Sequence, residues 1–417
     1  MFFRNELKRS FAALVLLLSL GISVSSFALD PAPIPPKCRA ELGGTSGPVL
    51  GLSKIAGATS WGETVQMKAN ETTRKITEIT QLVLGQYNVE NLLEQKGKFA
   101  RHPITGKFIY DPIAGDYQKE KPAITKPAEQ LKGVADTILR ASPDIAVLEE
   151  VESLEALEFL NEKYLNGKYI TVLIPGNDQR GINVAYLIKG DLPFDLEVQS
   201  YKNVARGAEG SQSHLFSRDL PVMLFREKGA ARTSPPLMAL IGTHFKSQRE
   251  SPGDPLSVRH RGEQVQASAV IINYYQALWG SDLPIFMAGD YNRDIATGPE
   301  FQPLWQLAHM KDSFDIAPAN KTVHPKDRVT EAFFPKDGPS HYSQLDSISG
   351  SPIVQTQNLI QEASIMPYLD GKGQPKGLPQ SYTERETNPS DHWMVRAVVD
   401  FSKILSLYRS RPGIVHP

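Results

Sequence analysis

Residues 284–294 read P-I-F-M-A-G-D-Y-N-R-D and join an apolar run to a set of polar residues. The first part is a short apolar run typical of a fully buried strand, and it stops at Gly289. Asp290, Asn292 and Asp294 then occupy alternate positions. Enzymes of the α/β class place carboxylates and amides in this way, at the carboxyl end of a buried strand. Taken alone, the stretch is explained equally well by an Asx-rich turn whose side chains cap their own backbone.

Other strand-like stretches also end in polar residues, which favours the first interpretation. The residues at these ends are Asn88, Glu150, His244, Asp346 and the pair Asp391 and His392. Hard oxygen ligands in this number suit Mg²⁺ or Mn²⁺ rather than zinc, which would require cysteines or clustered histidines. A divalent cation held by carboxylates, with histidines nearby, is suited to hydrolysing a phosphate ester.

The pattern of elements predicts an α/β sandwich. Strand-like stretches outnumber helical ones in the 417 residues, and many of them follow each other without an intervening helix. This argues against a doubly wound parallel sheet and predicts two mixed sheets with helices outside. The longest helical pattern covers residues 258–279, and shorter ones cover 127–139 and 154–165.

The first 28 residues have the features of a secretory signal peptide. Arg4, Lys8 and Arg9 precede an apolar run over residues 11–20, and a small-x-small site predicts cleavage after Ala28. The run is too short for a membrane span, and no later stretch reaches 18 apolar residues. We therefore expect a secreted or periplasmic protein without a transmembrane segment.

The charge and the cysteine content of the exported chain limit its partners. Removal of residues 1–28 leaves 42 basic against 45 acidic residues, a net charge of −3. Such a surface gives no global reason to bind nucleic acid, so any polyanion site must be local. The single cysteine, Cys38, excludes an internal disulfide framework.

The composition also predicts domain boundaries. Residues 29–75 form a Pro/Gly-rich, poorly ordered leader with one short element near 63–68, residues 76–403 form the catalytic domain, and residues 404–417 form a tail. Residues 95–125 form a long loop that is either functional or mobile. Tyr110 and Tyr117 in that loop either stack on bases or belong to a flexible segment.

Six motifs together resemble those of the endonuclease/exonuclease/phosphatase superfamily of metal-dependent phosphoesterases, and the similarity covers residues 76–401. In order along the chain, the motifs are Y-N-V-E-N at 87, D-I-A-V-L-E-E-V at 144, T-H-F at 243, G-D-Y-N at 289, Q-L-D-S-I at 344 and S-D-H at 390. The resemblance implies a four-layered α/β/β/α sandwich of two mixed β-sheets flanked by helices.

The resemblance also implies roles for individual residues. Glu150 is similar to the principal metal ligand, with Asn88 and Asp391 as further ligands. The catalytic residues implied are His392, as general base or phosphate-binding histidine held by Asp346, together with Asp290, Asn292 and a second histidine, His244. Two departures are notable: Glu149 replaces the usual glutamine, and no acidic residue near 181–184 matches the usual partner of the second histidine.

Two basic residues are expected to bind substrate. Lys246 directly follows the T-H-F motif, where a phosphate contact and a solvated lysine are both reasonable. Arg261 lies on the helix that follows, where it either approaches phosphate or makes a structural hydrogen bond.

The sequence thus predicts an exported, divalent-metal-dependent phosphodiesterase. We expect a monomeric nuclease without a stable protein partner, which hydrolyses extracellular or periplasmic DNA or RNA with a water activated by a His–Asp pair. The alternative is a phosphatase or a phosphodiesterase of the phospholipase C or sphingomyelinase type with the same site. Membrane lipases tend to carry an exposed aromatic hairpin, and none is identified in the sequence. An inactive binding protein on the same fold is a more remote alternative.

Overall fold

The computed structural model describes residues 49, 51–71, 73–92, 126–207, 210–249, 251–335 and 338–411. The predicted signal peptide with its cleavage site, Cys38 and the loop at 95–125 therefore lie outside the described residues.

Strands make up most of the regular structure in the described residues. In chain order they are β1 (Thr64–Met67), β2 (Gln81–Leu92), β3 (Ile145–Val151), β4 (Tyr169–Leu173), β5 (Asn183–Lys189), β6 (Phe194–Gln199), β7 (Val222–Glu227), β8 (Met238–His244), β9 (Ile285–Asp290), β10 (Lys311–Asp312), β11 (Glu331–Phe333), β12 (His341–Ser343), β13 (Asp346–Gly350), β14 (Ile360–Ile365) and β15 (Val395–Asp400).

The helices lie between and after these strands. They are α1 (Ala128–Ala141), α2 (Leu154–Tyr164), α3 (Val258–Trp279), α4 (Gln302–Gln306), α5 (Ser313–Ile316), α6 (Pro352–Thr356), α7 (Tyr382–Arg385) and α8 (Phe401–Arg409). Single 3₁₀ turns cover Ile76–Glu78, Pro255–Ser257, Pro299–Phe301, Ala319–Lys321 and Pro325–Asp327. The long helix α3 has the bounds that the sequence pattern predicts.

The strands form two mixed sheets and one separate hairpin. One sheet has the order β1-β6-β7-β8-β9-β13-β10, the other has the order β14-β15-β2-β3-β5-β4, and β11 pairs with β12. Within the sheets, β2 runs parallel to β3 and β8 runs parallel to β9, while their other neighbours are antiparallel. The predicted mixed sandwich is confirmed.

Three buried apolar clusters separate the layers. The largest joins the inner faces of both sheets and includes Val147 and Val184 from one sheet and Leu240 and Phe286 from the other. The second cluster packs α3 on the outer face of the seven-stranded sheet, and the third packs α1 and α2 on the outer face of the six-stranded sheet. The layers are therefore helix, sheet, sheet and helix, as the resemblance implies.

Gly242 sets the distance between the sheets near the site. A Cβ atom at this position would lie 2.8 Å from Val184 Cγ1 and 3.0 Å from the Tyr186 hydroxyl, both on the opposite sheet. The Gly242 N–H donates a hydrogen bond of 2.9 Å to that hydroxyl, which in turn donates to the Pro221 carbonyl at 2.7 Å. The last residues of β8, including His244, are thus tied to the neighbouring sheet.

The packed structure extends beyond the predicted boundaries at residues 76 and 403. β1 lies at the predicted short element near 63–68 and pairs with β6 at the edge of the seven-stranded sheet. Trp61 is 2% exposed and packs 6.2 Å from Tyr201, measured between ring centroids. At the other end, α8 crosses residue 403 and buries Phe401, Ile404 and Leu405.

Within the described residues, no helix has the length and hydropathy needed to span a membrane.

Candidate active site

The predicted site residues meet because of strand register. β8 and β9 are parallel and place His244 beside Asp290, while the antiparallel β13 starts with Asp346 on the other side of Asp290. In the facing sheet, β2 carries Asn88 opposite Glu149, so Glu150 follows at the same edge. β15 runs antiparallel to β2, so Asp391 and His392, which precede it, also reach this edge.

These residues line one open pocket of about 810 Å³. Most of the predicted site residues contribute to its wall, namely Asn88, Glu150, His244, Asp290, Asn292, Asp391 and His392. Asp346 is fully buried and lies behind His392. Lys246 lines a smaller adjoining pocket of about 290 Å³.

Asp290 lies at the centre of the site and is 1% exposed. Its Oδ1 accepts a hydrogen bond from the Asn292 N–H at 2.7 Å. Its Oδ2 accepts from Asn88 Nδ2 at 3.0 Å and from Asn292 Nδ2 at 3.1 Å, and His244 Nε2 is 3.4 Å away. Burial is the main reason why the pKa of Asp290 rises to about 7, with a further contribution from the Asp346 carboxylate. The donors hold this carboxylate in one orientation.

His392 and Asp346 form the predicted pair. His392 Nδ1 lies 2.7 Å from Asp346 Oδ2, and the other oxygen of Asp346 accepts from Gln86 Nε2 at 2.7 Å. His392 Nε2 faces the pocket, 3.9 Å from Asp290 Oδ2 and 3.9 Å from Asp391 Oδ1. Burial disfavours the imidazolium, but these three carboxylates outweigh it and raise the pKa of His392 well above its usual value. One ligand atom from each of Asp290, Asp346 and His392 lies within 4.8 Å of the others, so this buried cluster could hold a metal ion.

His244 has a different environment. Its Nδ1 is buried and has no hydrogen-bond partner among the described residues, in keeping with the missing acidic partner in the sequence. Burial, followed by the charges of Arg218 and Arg180, lowers the pKa of His244 well below its usual value. The imidazole is therefore neutral near pH 7. Its Nε2 atom contacts the Asp290 carboxylate.

The two glutamates at the end of β3 have different surroundings. Glu150 lines the pocket, has a left-handed backbone (φ 63°), and accepts a hydrogen bond from the Asn91 N–H at 3.0 Å on Oε2. Glu149 is fully buried and accepts from Gln86 Nε2 at 2.9 Å. Burial and the carboxylates of Asp346 and Asp290 raise the pKa of Glu149 well above its usual value. Glu149 is thus a buried carboxyl outside the pocket, so it adds no ligand to the pocket wall.

Arg385, which carries no motif, holds Asp391 in place. Its Nη2 lies 2.8 Å from Asp391 Oδ2 and also pairs with the carboxylate of Glu90. Burial opposes ionisation of Asp391, but His392 and Arg385 outweigh it and lower its pKa. The sequence gives no signal for Arg385, because it ends a helix of only four residues and belongs to none of the six motifs.

Arg261 lies away from both pockets, unlike the other predicted substrate-binding residue, Lys246. Its side chain is fully buried and lines neither pocket, and its Nε donates to Glu300 Oε1 at 2.8 Å. A second guanidinium nitrogen, Nη1, donates to the Lys246 carbonyl at 2.8 Å. Of the two interpretations open at the sequence level, the structure shows the structural hydrogen bond, because Arg261 donates to a backbone carbonyl in the loop after β8.

Other pocket residues were also missed by sequence reasoning. The backbone of Glu331 on β11 forms an isolated antiparallel β-bridge with the backbone of His392. Burial raises the pKa of the Glu331 carboxyl to about 8. Phe333, on the same strand, lines the pocket and is 53% exposed. The β11–β12 hairpin therefore presents an exposed aromatic ring at the pocket, a feature that could not be identified in the sequence. The signal in the sequence was weak, because both strands have only three residues.

Asp294, at the end of the opening stretch, is a turn residue. Its Oδ1 accepts hydrogen bonds from the Thr297 N–H at 3.0 Å and from the Thr297 hydroxyl at 2.8 Å. The Asx-turn interpretation is correct for this residue, whereas Asp290 and Asn292 face the other site residues.

Comparison with known proteins gives similarity to solved structures only. No protein-family model matches the chain, and no curated protein matches it significantly. Truncated TDP2 from Caenorhabditis elegans is similar with a TM-score of 0.46 and 16% identity, covering 77% of this chain and 98% of that chain. An endonuclease/exonuclease/phosphatase family protein from Bacteroides thetaiotaomicron has a TM-score of 0.47 and 16% identity, covering 77% and 95%. Mannosyl-6-phosphatase from the same organism has a TM-score of 0.46 and 14% identity, covering 76% and 99%.

At these identities the similarity concerns the fold alone. The sandwich described above is the fold that the motifs imply.

Proposed function

We propose that the chain is an exported, monomeric, divalent-metal-dependent phosphodiesterase that cleaves nucleic acid. The observation that carries this proposal is the arrangement of Asn88, Glu150, Asp290 and Asp391 around one pocket, into which His392 presents Nε2. Acidic oxygens, amides and an oriented imidazole at one edge of two sheets are the groups that metal-assisted phosphate ester hydrolysis needs.

The donor set fits a hard divalent cation. Glu150, Asn88 and Asp391 would hold Mg²⁺ or Mn²⁺, since carboxylate and amide oxygens are the ligands that these ions prefer. Of the two carboxylate oxygens of Glu150, only Oε2 accepts a hydrogen bond from the described residues. Asp391 Oδ2 pairs with Arg385, while Oδ1 lies on the side of His392 and accepts a hydrogen bond of 3.4 Å from the Ser390 hydroxyl. When bound, the ion offsets negative charge on the phosphoryl oxygens.

His392 takes a proton from the attacking water when its ring is neutral, and because the surrounding carboxylates raise its pKa, that form is favoured on the alkaline side of its ordinary range. Because Nδ1 is held by Asp346, the lone pair of the neutral ring lies on Nε2, which faces the pocket. The carboxylates of Asp346, Asp290 and Asp391 stabilise the imidazolium that forms. Asp290 has donors on both oxygens, so it orients groups in the site, and Asn88 and Asn292 hold it in place.

Arginines at the pocket support nucleic acid as the substrate. Arg180, Arg218, Arg249 and Arg293 line the same pocket as the acidic residues. They provide contacts for an anionic backbone although the exported chain carries a net charge of −3.

A second candidate is a phosphodiesterase that acts on a lipid headgroup, as sphingomyelinases do. Phe333 favours it, because this half-exposed ring lies on a hairpin at the pocket, where an apolar side chain would meet a membrane surface. On the nuclease proposal the same ring stacks on a base.

A substrate panel distinguishes the two candidates. The purified protein without residues 1–28 is incubated in Mg²⁺ with plasmid DNA, with RNA and with sphingomyelin vesicles. Cleavage of nucleic acid supports the nuclease proposal, and Phe333→Ala should then raise KM for the nucleic acid about 5- to 160-fold, because a base–aromatic stack contributes about 1–3 kcal/mol. Cleavage of sphingomyelin alone contradicts it and supports the lipid candidate.

A further inference from the structure

The smaller pocket beside the active site has the properties of a second anion site. It is lined by residues of the loops at 177–180, 214–218 and 246–249, and it shares Arg180, Arg218, Ser247 and Arg249 with the large pocket. A group bound there would therefore lie next to a phosphate bound in the large pocket.

The charges of the small pocket are unbalanced. Its basic residues are Arg180, Arg218, Lys246 and Arg249, and its one carboxylate is Asp178. Asp178 is already engaged, because Arg218 Nε lies 2.9 Å from its Oδ2 and Arg180 Nε lies 3.3 Å from its Oδ1. In the described part of the chain, no carboxylate lies within ion-pair distance of the Lys246 ammonium.

Lys246 is held in this environment by its backbone. Its N–H donates to Gln264 Oε1 at 2.7 Å, and its carbonyl accepts from the buried Arg261 Nη1 at 2.8 Å. The side chain is thus presented from a braced loop. Partial burial and the nearby charge of Arg218 lower the pKa of Lys246, so an anion in this pocket would relieve a repulsion between cations.

An unpartnered polar atom also lies in this pocket. The hydroxyl oxygen of Ser217 is buried and has no hydrogen-bond partner among the described residues, and Ser217 lines the small pocket. Buried polar groups are usually paired, and rotation of the Ser217 side chain would let its hydroxyl pair with a group bound in the pocket.

We propose that the small pocket binds a second phosphate group of the substrate, adjacent to the phosphate that is cleaved, and that Lys246 and Ser217 contact it. This inference rests on the proposed phosphodiesterase function and deepens it, because it selects substrates with at least two neighbouring phosphates. A polynucleotide backbone supplies such a pair, and so does a terminal phosphate next to a phosphodiester.

A ladder of substrates tests the proposal and separates these two sources. The substrates compared are a dinucleotide with one phosphodiester, the same dinucleotide with a 5′ or a 3′ terminal phosphate, and a trinucleotide with two phosphodiesters. In the wild type, the second phosphate should raise kcat/KM about tenfold, the equivalent of about 1.4 kcal/mol for a charge-assisted contact. A gain on the trinucleotide alone assigns the pocket to a backbone phosphate, and a gain on the phosphorylated dinucleotides assigns it to a terminal phosphate as well.

The substitution Lys246→Ala should remove most of that gain. It should also lower the slope of log KM against log salt concentration by about 0.7 for a single strand, because one phosphate contact is lost. Lys326→Ala is the matched control, since Lys326 is an exposed lysine that lines neither pocket. An undiminished second-phosphate gain in Lys246→Ala would overturn the proposal.

A binding measurement keeps the test independent of turnover. Inorganic pyrophosphate, which carries two linked phosphates, is titrated into the wild type and the Lys246→Ala and Lys326→Ala proteins by calorimetry. We expect about tenfold weaker binding to Lys246→Ala alone. Equal affinity of all three proteins refutes the second anion site, whereas failure of the wild type to hydrolyse any phosphodiester refutes the proposed function separately.

Discussion

The hydrogen bond between His392 and Asp346, 2.7 Å long, determines which ring nitrogen faces the pocket. Replacement of His392 by alanine removes the proposed base, so kcat should fall about 10²- to 10⁴-fold, the range that general base catalysis contributes. The exposed His324 offers a matched control, and His324→Ala should keep the wild-type rate. Thermal unfolding verifies that both variants are folded, and a folded His392→Ala enzyme with a near-normal kcat would exclude His392 as the base.

Asp346 should be coupled to His392 rather than act separately. Asp346→Asn retains the shape of the side chain but loses the charge that holds Nδ1–H, so it should lower kcat by about the same 10²- to 10⁴-fold factor. The double variant should then be no slower than His392→Ala, because both changes disable one unit. Rate losses that multiply in the double variant would show that the two residues act independently.

Glu149 should affect stability in a pH-dependent way. Its pKa is raised in the folded protein by burial, whereas an unfolded glutamate titrates near about 4.3. A carboxyl with a raised folded pKa makes folding less favourable as the pH rises above the unfolded value. Glu149→Gln removes this effect and retains an acceptor for Gln86. Its melting midpoint, measured in EDTA, should exceed that of the wild type by more at pH 8 than at pH 5; an equal difference at both values would contradict a buried, protonated Glu149.

Sequence reasoning reached the site residues that end or follow strands. The order Leu-Glu-Glu-Val at the end of β3, together with the resemblance, identified Glu150 over Glu149, and the structure places only Glu150 in the pocket. Arg385 and Glu331 could not be found in this way. Their proximity to Asp391 and His392 depends on how loops and a short hairpin pack across the site, and no local pattern encodes that contact.

At the scale of elements, α3 supports the loop after β8 through the buried pair of Arg261 and Glu300. Removal of one partner leaves a buried charge, so Arg261→Ala and Glu300→Ala should each lower the free energy of unfolding by about 3–5 kcal/mol. Replacing both residues by apolar ones, Arg261→Met with Glu300→Leu, should recover most of that loss. Denaturant unfolding measures all of these changes.

The same variants test the earlier expectation that Arg261 binds substrate. Because Arg261 lines neither pocket, KM in the double apolar variant should stay within about threefold of the wild type for a dinucleotide with one phosphodiester, which has no second phosphate for Lys246 to contact. A large rise in KM for this substrate in a stable double variant would show that Arg261 contributes to substrate binding.

At the scale of the whole molecule, the segment before residue 76 belongs to the packed structure. Trp61 is buried in the cluster beneath α3, so Trp61→Ala should lower the free energy of unfolding by about 3–5 kcal/mol. Leu307 is 49% exposed, and Leu307→Ala should change it by less than about 0.5 kcal/mol. A Trp61→Ala protein as stable as the Leu307→Ala protein would support the disordered leader that the composition of residues 29–75 suggested.

The layers of the fold could be predicted from the sequence, but its strand order could not. The buried apolar runs, such as residues 285–290 in β9, and the scarcity of intervening helices led to two mixed sheets. The insertion of β13 between β9 and β10, and the addition of β1 to β6 across more than 120 residues, are non-local pairings. Such pairings depend on register and packing between distant segments, which periodicity within one segment does not reveal.

The most direct test of the central claim, a metal-dependent phosphodiesterase centred on this pocket, is hydrolysis of bis-p-nitrophenyl phosphate in EDTA and in increasing Mg²⁺ or Mn²⁺. The wild type should lose activity in EDTA and regain it with either ion. Glu150→Gln should need a higher ion concentration, by about 10- to 100-fold, because it loses the main charged ligand. Glu155→Gln, an exposed control on α2, should behave like the wild type. Full activity of the wild type in chelator, or the same metal requirement in Glu150→Gln, would contradict the claim.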